Sequence, residues 1–124
     1  MANRRFRRQS RLPDSSAYSR VFKKAERSRD MMFTVLYKKN TEQDARLGLA
    51  ISKKHCPGAV GRNRLKRLVR ESFRMNRADL KGFDVVVLNQ PAATRASNKA
   101  LFDSLNEHWQ RCRSARLADT GEAG

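Results

Sequence analysis

The segment Ala59-Val-Gly-Arg-Asn-Arg-Leu-Lys-Arg-Leu-Val-Arg-Glu-Ser-Phe-Arg74 concentrates the side chains best suited to chemistry, and that chemistry is anion binding. On a helical wheel of about 100° per residue, Leu65, Leu68, Val69, Ser72 and Phe73 share one arc. Lys66, Arg67, Arg70, Arg74 and Arg77 share the opposite arc, and Arg62, Asn63 and Arg64 fill the first turn beside Gly61. Helix stability does not ask for this arrangement. Lys66–Arg70 and Arg70–Arg74 are like-charged i,i+4 pairs, each unfavourable by roughly a few tenths of a kcal/mol. Acidic residues, not arginines, favour a helix N-terminus. A bound polyanion reverses both signs, because arginine forks and N-terminal amides can grip phosphates together. A plain solvated face mixes charges, whereas Glu71 is the lone acid within this helix.

Other chemistry is poorly served. Metal-dependent phosphodiester hydrolysis uses clustered carboxylates, but the 12 acidic residues are scattered and none is paired near the basic face. His55 and His108 have no evident acid–base partners. Cys56 and Cys112 stand apart, and neither they nor His55 sit at metal-ligand spacing. No catalytic residue and no tightly held metal are expected on the protein itself.

The composition supports the same reading. The chain has 124 residues, enough for one domain, with 28 Lys and Arg against 12 acids and a net charge of +16. Such a charge opposes compaction, so its use lies in a polyanionic partner. Arginine outnumbers lysine, which favours phosphate over a diffuse anionic surface. The apolar run Val85–Leu88 is far too short to cross a bilayer, and no apolar stretch follows the basic N-terminus as in a signal peptide. A cytoplasmic protein without a membrane partner is expected.

The elements that position the basic helix follow from periodicity. Residues 1–11, with Arg4, Arg5, Arg7, Arg8 and Arg11, form a basic arm. A short helix over 14–24 gathers Tyr18, Val21 and Phe22 on one face, and a short edge strand follows around Arg27 and Arg29. Residues 33–38 and 46–52 alternate with period two around the turn 40–45, which reads as a hairpin. The basic helix runs from about 60 to 77, with Gly61 loosening its start so that Arg62 can be its first residue. Phe83–Leu88 reads as a buried central strand. A last helix over 97–113 carries Leu101, Leu105, Trp109 and Cys112 as its apolar stripe. The domain therefore spans 12–113, and 114–124 form a disordered tail. One mixed sheet with helices packed on it is the simplest architecture.

These residues resemble a known family. Ala59–Arg74, with its Arg62-Asn63-Arg64 core, is similar to the signature helix of bacterial ribonuclease P protein. Arg46-Leu-Gly-Leu-Ala-Ile-Ser-Lys-Lys54 resembles the strand and lysine pair that precede that helix. Tyr18 with Val21-Phe22-Lys23, Asp84-Val-Val-Val-Leu88, and Leu105 with Trp109 match further elements, so the likeness covers about residues 11–113 in order. It implies an α+β fold, an αβββαβα two-layer sandwich shared with a domain of a small-subunit ribosomal protein, with a left-handed βαβ crossover. It implies the protein subunit of an endoribonuclease whose RNA subunit is the catalyst, holds the Mg2+ ions and removes the 5′ leader of precursor tRNA. The partners implied are ribonuclease P RNA and precursor tRNA, with no obligate protein partner. By the match, Arg62, Asn63, Arg64, Lys66, Arg67, Arg70 and Arg74 contact RNA, Lys53 and Lys54 contact phosphate, and Tyr18 and Phe22 line a leader cleft that Tyr37 could join. Tyr18 replaces the more common Phe, and Asn89-Gln90 stand where the family often carries a basic residue.

Three rival readings compete at this level. A ribosomal or other RNA-binding protein explains the charge but not the ordered matches. A DNA-binding regulator lacks helix–turn–helix spacing before residue 62. A membrane-surface protein would need bulky apolar residues left free of a core.

Overall fold

The structure, a computed structural model, describes Lys23, residues 25–40 and residues 44–123, with side chains described as far as Ala115. The basic arm and most of the first expected helix, including Tyr18 and Phe22, lie outside the described residues. The described elements are β1 (Glu26–Arg29), β2 (Phe33–Lys39), β3 (Arg46–Ala50), α1 (Ala59–Met75), β4 (Phe83–Asn89) and α2 (Asn98–Ala123). Short 3-10 helices span Arg77–Leu80 and Pro91–Arg95.

The strands form one sheet in the order β1-β2-β4-β3. The expected hairpin between residues 33–38 and 46–52 is therefore corrected: both strands exist, but β4 lies between them. It pairs antiparallel with β2 (Val35↔Val87, Tyr37↔Val85) and parallel with β3 (Leu47↔Val85, Leu49↔Val87). The reason is burial. Val85, Val86 and Val87 are all fully buried, so β4 needs cover on both faces and partners on both edges. β2 and β3 can each tolerate one mixed face. Parallel pairing of β3 with β4 then requires a long crossover, and α1 supplies it.

One face of the sheet, carrying Phe33, Val35, Tyr37, Leu47, Val85 and Val87, packs against both helices in a single core. α1 contributes Leu65, Leu68, Val69 and Phe73, and α2 contributes Leu101, Leu105, Trp109 and Cys112, the two stripes read from periodicity. Phe73 and Trp109 meet edge to face at 6.0 Å, and Trp109 Nε1 donates to Ser72 Oγ at 2.8 Å. Burial pushes the Cys112 thiol up to about 12, which makes it an inert core residue. On the opposite face Leu36 and Val86 form a smaller cluster with Ala25, Ala50 and Leu88.

α1 begins at Ala59, not at Arg62. Gly61 sits inside it because a Cβ there would lie 2.9 Å from Cys56 Sγ, so the glycine lets the preceding loop close onto the helix. Gly82 adopts φ +84° and turns the chain into β4, where its carbonyl accepts the Asn40 amide at 2.8 Å. Ser97 Oγ accepts the Ala100 amide at 3.1 Å ahead of α2, which continues past 113 to Ala123.

A buried polar network ties the β1–β2 turn to α2. Asp30 Oδ1 accepts the amides of Met32 and Phe33, and its Oδ2 accepts Ser104 Oγ at 2.6 Å. Ser28 Oγ accepts Arg111 Nη1 and shares a hydrogen bond of 2.6 Å with His108 Nδ1. His108 Nε2 stands 3.3 Å from Asp30 Oδ2. Burial drives the His108 pKa below its ordinary 6.5, although Asp30 opposes this. Burial disfavours Asp30 ionisation, yet the hydrogen bonds from Ser104, Phe33 and Met32 and the nearby His108 together hold its carboxyl below 3.8. Both groups bind a proton more readily in the unfolded chain. Stability is therefore expected to be full above pH 6.5, to fall through His108 as pH drops below that value, and to fall again through Asp30 below 3.8. Denaturant titrations between pH 7.5 and 5 check it. The wild-type loss should exceed that of His108→Gln, at up to about 1.4 kcal/mol per pH unit, and parallel curves would refute the assignment.

Candidate RNA interface

α1 buries its apolar arc and leaves its basic arc outward. Arg67 and Asn63 are exposed, Lys66 and Arg70 are half-buried, and none of the four has a hydrogen-bond or ion-pair partner among the described residues. Arg74 is also half-exposed but pairs with Glu71 one turn back, so an anion must compete for it. The first turn of α1 contains no acid, and Gly58 at its cap provides no side-chain bond. The open helix amides thus add positive potential at the end of α1 that lies nearest Asn63.

The loop before α1 presents the lysine pair. Lys53 and Lys54 are exposed on a turn whose backbone is held at several points. Ser52 Oγ accepts the His55 amide at 3.3 Å, and the Ser52 carbonyl accepts the Cys56 amide at 3.1 Å. Asn89 Oδ1, at the end of β4, accepts the Ser52 amide at 2.7 Å, and Thr94 Oγ1 donates to the His55 carbonyl at 2.7 Å. Asn89, noted above for the absence of a basic residue, is buried and serves this loop.

Two signature arginines are engaged within the protein. Arg62 Nη1 donates to the carbonyls of Cys56 at 3.1 Å and Pro57 at 2.6 Å. Arg64 donates from Nε and Nη2 to Asn98 Oδ1 at 3.1 and 2.8 Å, and from Nη2 to the Ala96 carbonyl at 2.6 Å. Sequence reasoning missed Asn89, Thr94 and Asn98, because their partners lie more than thirty positions away and no local pattern marks them. Tyr37 belongs to the core: its ring is buried under α2 and meets Phe83 edge to face at 5.8 Å, so it does not extend the exposed surface.

The best-held acid serves structure. Asp84 is gripped by Arg46 through two bonds of 2.8 Å and by Asn40 Nδ2 at 2.7 Å, across the start of β3 and β4. Among the described residues, no three His, Cys, Asp or Glu side chains gather to hold a metal ion, and no helix is long and apolar enough to cross a membrane. What the surface can do is bind a polyanion along α1 and the Lys53–Lys54 turn.

Comparison with known proteins bears on which polyanion. The profile of the family Ribonuclease P matches residues 6–113. A ribonuclease P protein component of Nitrosococcus oceani is 45% identical over 104 residues, covering 84% of this chain and 87% of the relative. That of Thioalkalivibrio sulfidiphilus is 46% identical over 106 residues, covering 86% and 88%. Among solved structures, the RNase P protein of Thermotoga maritima superposes with a TM-score of 0.73 at 32% identity, over 82% of this chain and 96% of that one. The Staphylococcus aureus RNase P protein gives 0.73 at 30% identity, over 82% and 93%.

Proposed function

The chain belongs to the ribonuclease P protein family, and from that premise we propose how it works as the protein subunit of this ribonucleoprotein endoribonuclease: it binds the catalytic RNA through α1, engages the 5′ leader of precursor tRNA, and promotes removal of that leader. The observation that carries the reading is the row of cations without a partner among the described residues, Lys66, Arg67 and Arg70, beside the exposed Lys53–Lys54 turn. Phosphates bound there release counterions, and the protein lowers the repulsion between two RNAs that must meet.

The cut itself belongs to the RNA subunit, which holds the Mg2+ ions. The leader is received by Tyr18 and Phe22, whose rings suit stacking on unpaired bases without a sequence requirement. Precursor tRNA is the substrate, the site of action is the cytoplasm, and no further protein is required.

The test is precursor-tRNA cleavage by bacterial ribonuclease P RNA at low, near-physiological magnesium, with and without this protein. Restored cleavage at the 5′ end supports the reading. RNA binding with cleavage unchanged would sink it and leave a general RNA-binding role.

A further inference from the structure

Arg62 and Arg64 differ from the other cations of α1 in that both are tied to neutral acceptors of the protein. Arg62 spans the carbonyls of Cys56 and Pro57, which close the turn bearing Lys53 and Lys54. The same turn is pinned from the other side by Asn89 and Thr94, so the Arg62 bonds complete a frame of side-chain staples around it. Arg64 joins α1 to the start of α2 through Asn98 and the Ala96 carbonyl, and so sets the angle at which the basic arc emerges from the fold. An arginine acting on a phosphate needs its donor fork turned outward. Here N–H groups of both forks are turned inward, while Asn63 between them, and Lys66, Arg67 and Arg70 beyond them, are left open.

We propose that Arg62 and Arg64 are positioning residues: Arg62 holds the Lys53–Lys54 turn, and Arg64 holds α1 against α2, so that Lys53, Lys54, Asn63, Lys66, Arg67 and Arg70 form one phosphate-binding surface. This rests on the reading of that surface as the RNA interface, and it removes two residues from the direct contacts that the family likeness implied.

The experiment is a double-mutant cycle on the full chain binding ribonuclease P RNA, with each variant confirmed folded by thermal melting. Lys53→Ala/Lys54→Ala should weaken binding about tenfold in the native background. In the Arg62→Met background the same pair should cost less than about twofold more, because the turn is already released. Arg62→Lys, which keeps the charge but not the fork, should lose as much affinity as Arg62→Met, and it decides the point if Arg62→Met fails to fold. A global loss of stability alone would not abolish the coupling to the lysines. Arg62→Lys at native affinity, or a full tenfold lysine effect persisting without Arg62, overturns the proposal. A second arm does not depend on the lysines. Asn98→Ala should reproduce the loss seen in Arg64→Lys, with no further loss when combined. Asn98→Ala binding as well as the native chain means that Arg64 acts on RNA directly. If the lysine pair has no effect in the native chain, the reading of the turn as a phosphate contact fails, and the Asn98 arm still judges Arg64.

Discussion

Arg67→Ala/Arg70→Ala should weaken the complex with ribonuclease P RNA by about 10- to 100-fold at near-physiological salt, and should lower the slope of log K against log salt by about 1.5. The two side chains sit on the open arc of α1, with no partner among the described residues to hold them back from a phosphate. Each phosphate neutralised releases counterions, which adds roughly 0.7–0.9 to the slope, so two lost contacts should be read directly from a salt titration. The fold should be indifferent to the change. The wheel position of both residues is opposite to Leu65, Val69 and Phe73, and removing the Arg70 charge relieves Lys66 and Arg74, each at i,i+4 from it. Cleavage at low magnesium should fall in proportion to binding and recover when RNA is supplied in excess. An unchanged salt slope with native affinity would show that the polyanion lies elsewhere. Glu71→Gln is the informative companion. It frees Arg74 from its ion pair and should tighten binding modestly, which a direct role for Arg74 requires.

Trp109→Ala should destabilise the fold by about 3–5 kcal/mol, the range for deleting a large buried aromatic. Trp109 is fully buried where α1 and α2 cross, packed on Phe73 and hydrogen-bonded to Ser72 Oγ. Its removal leaves a cavity and orphans a buried hydroxyl. Trp109→Phe keeps most of the volume and loses the indole donor, so its cost should be nearer about 1–2 kcal/mol. Denaturant unfolding of the three proteins measures the order, and equal stability of Trp109→Ala and the native chain would contradict the packing described here. Because α2 also holds Asn98 against Arg64, partial loss of this contact should show in RNA affinity before it shows in global unfolding.

How much of this was legible in the residues follows the range of the interactions involved. The stripe Leu65, Leu68, Val69, Ser72, Phe73 and the stripe Leu101, Leu105, Trp109, Cys112 repeat with the helical period, and burial in the fold follows that period closely. The alternation Phe33, Val35, Tyr37 likewise assigned one strand face to the core. The excess of arginine on one arc of α1 needs no tertiary contact to be recognised, and with the ordered motifs it points to the family. Strand order was not accessible in that way. Two alternating segments separated by a polar turn satisfy the local signature of a hairpin, yet the doubly apolar β4 gains more by taking the centre, and that competition involves residues 38 to 56 positions apart. The fate of Arg62 and Arg64 was equally hidden. A charged side chain beside a basic helix reads as an anion ligand until the fold brings the Cys56 and Pro57 carbonyls, Ala96 and Asn98 to its donors. Periodicity and charge thus determined which surface is basic and which is buried, because each depends on the chain's own local geometry. Only the tertiary structure decided which cations stay free, because that depends on acceptors supplied by distant parts of the chain.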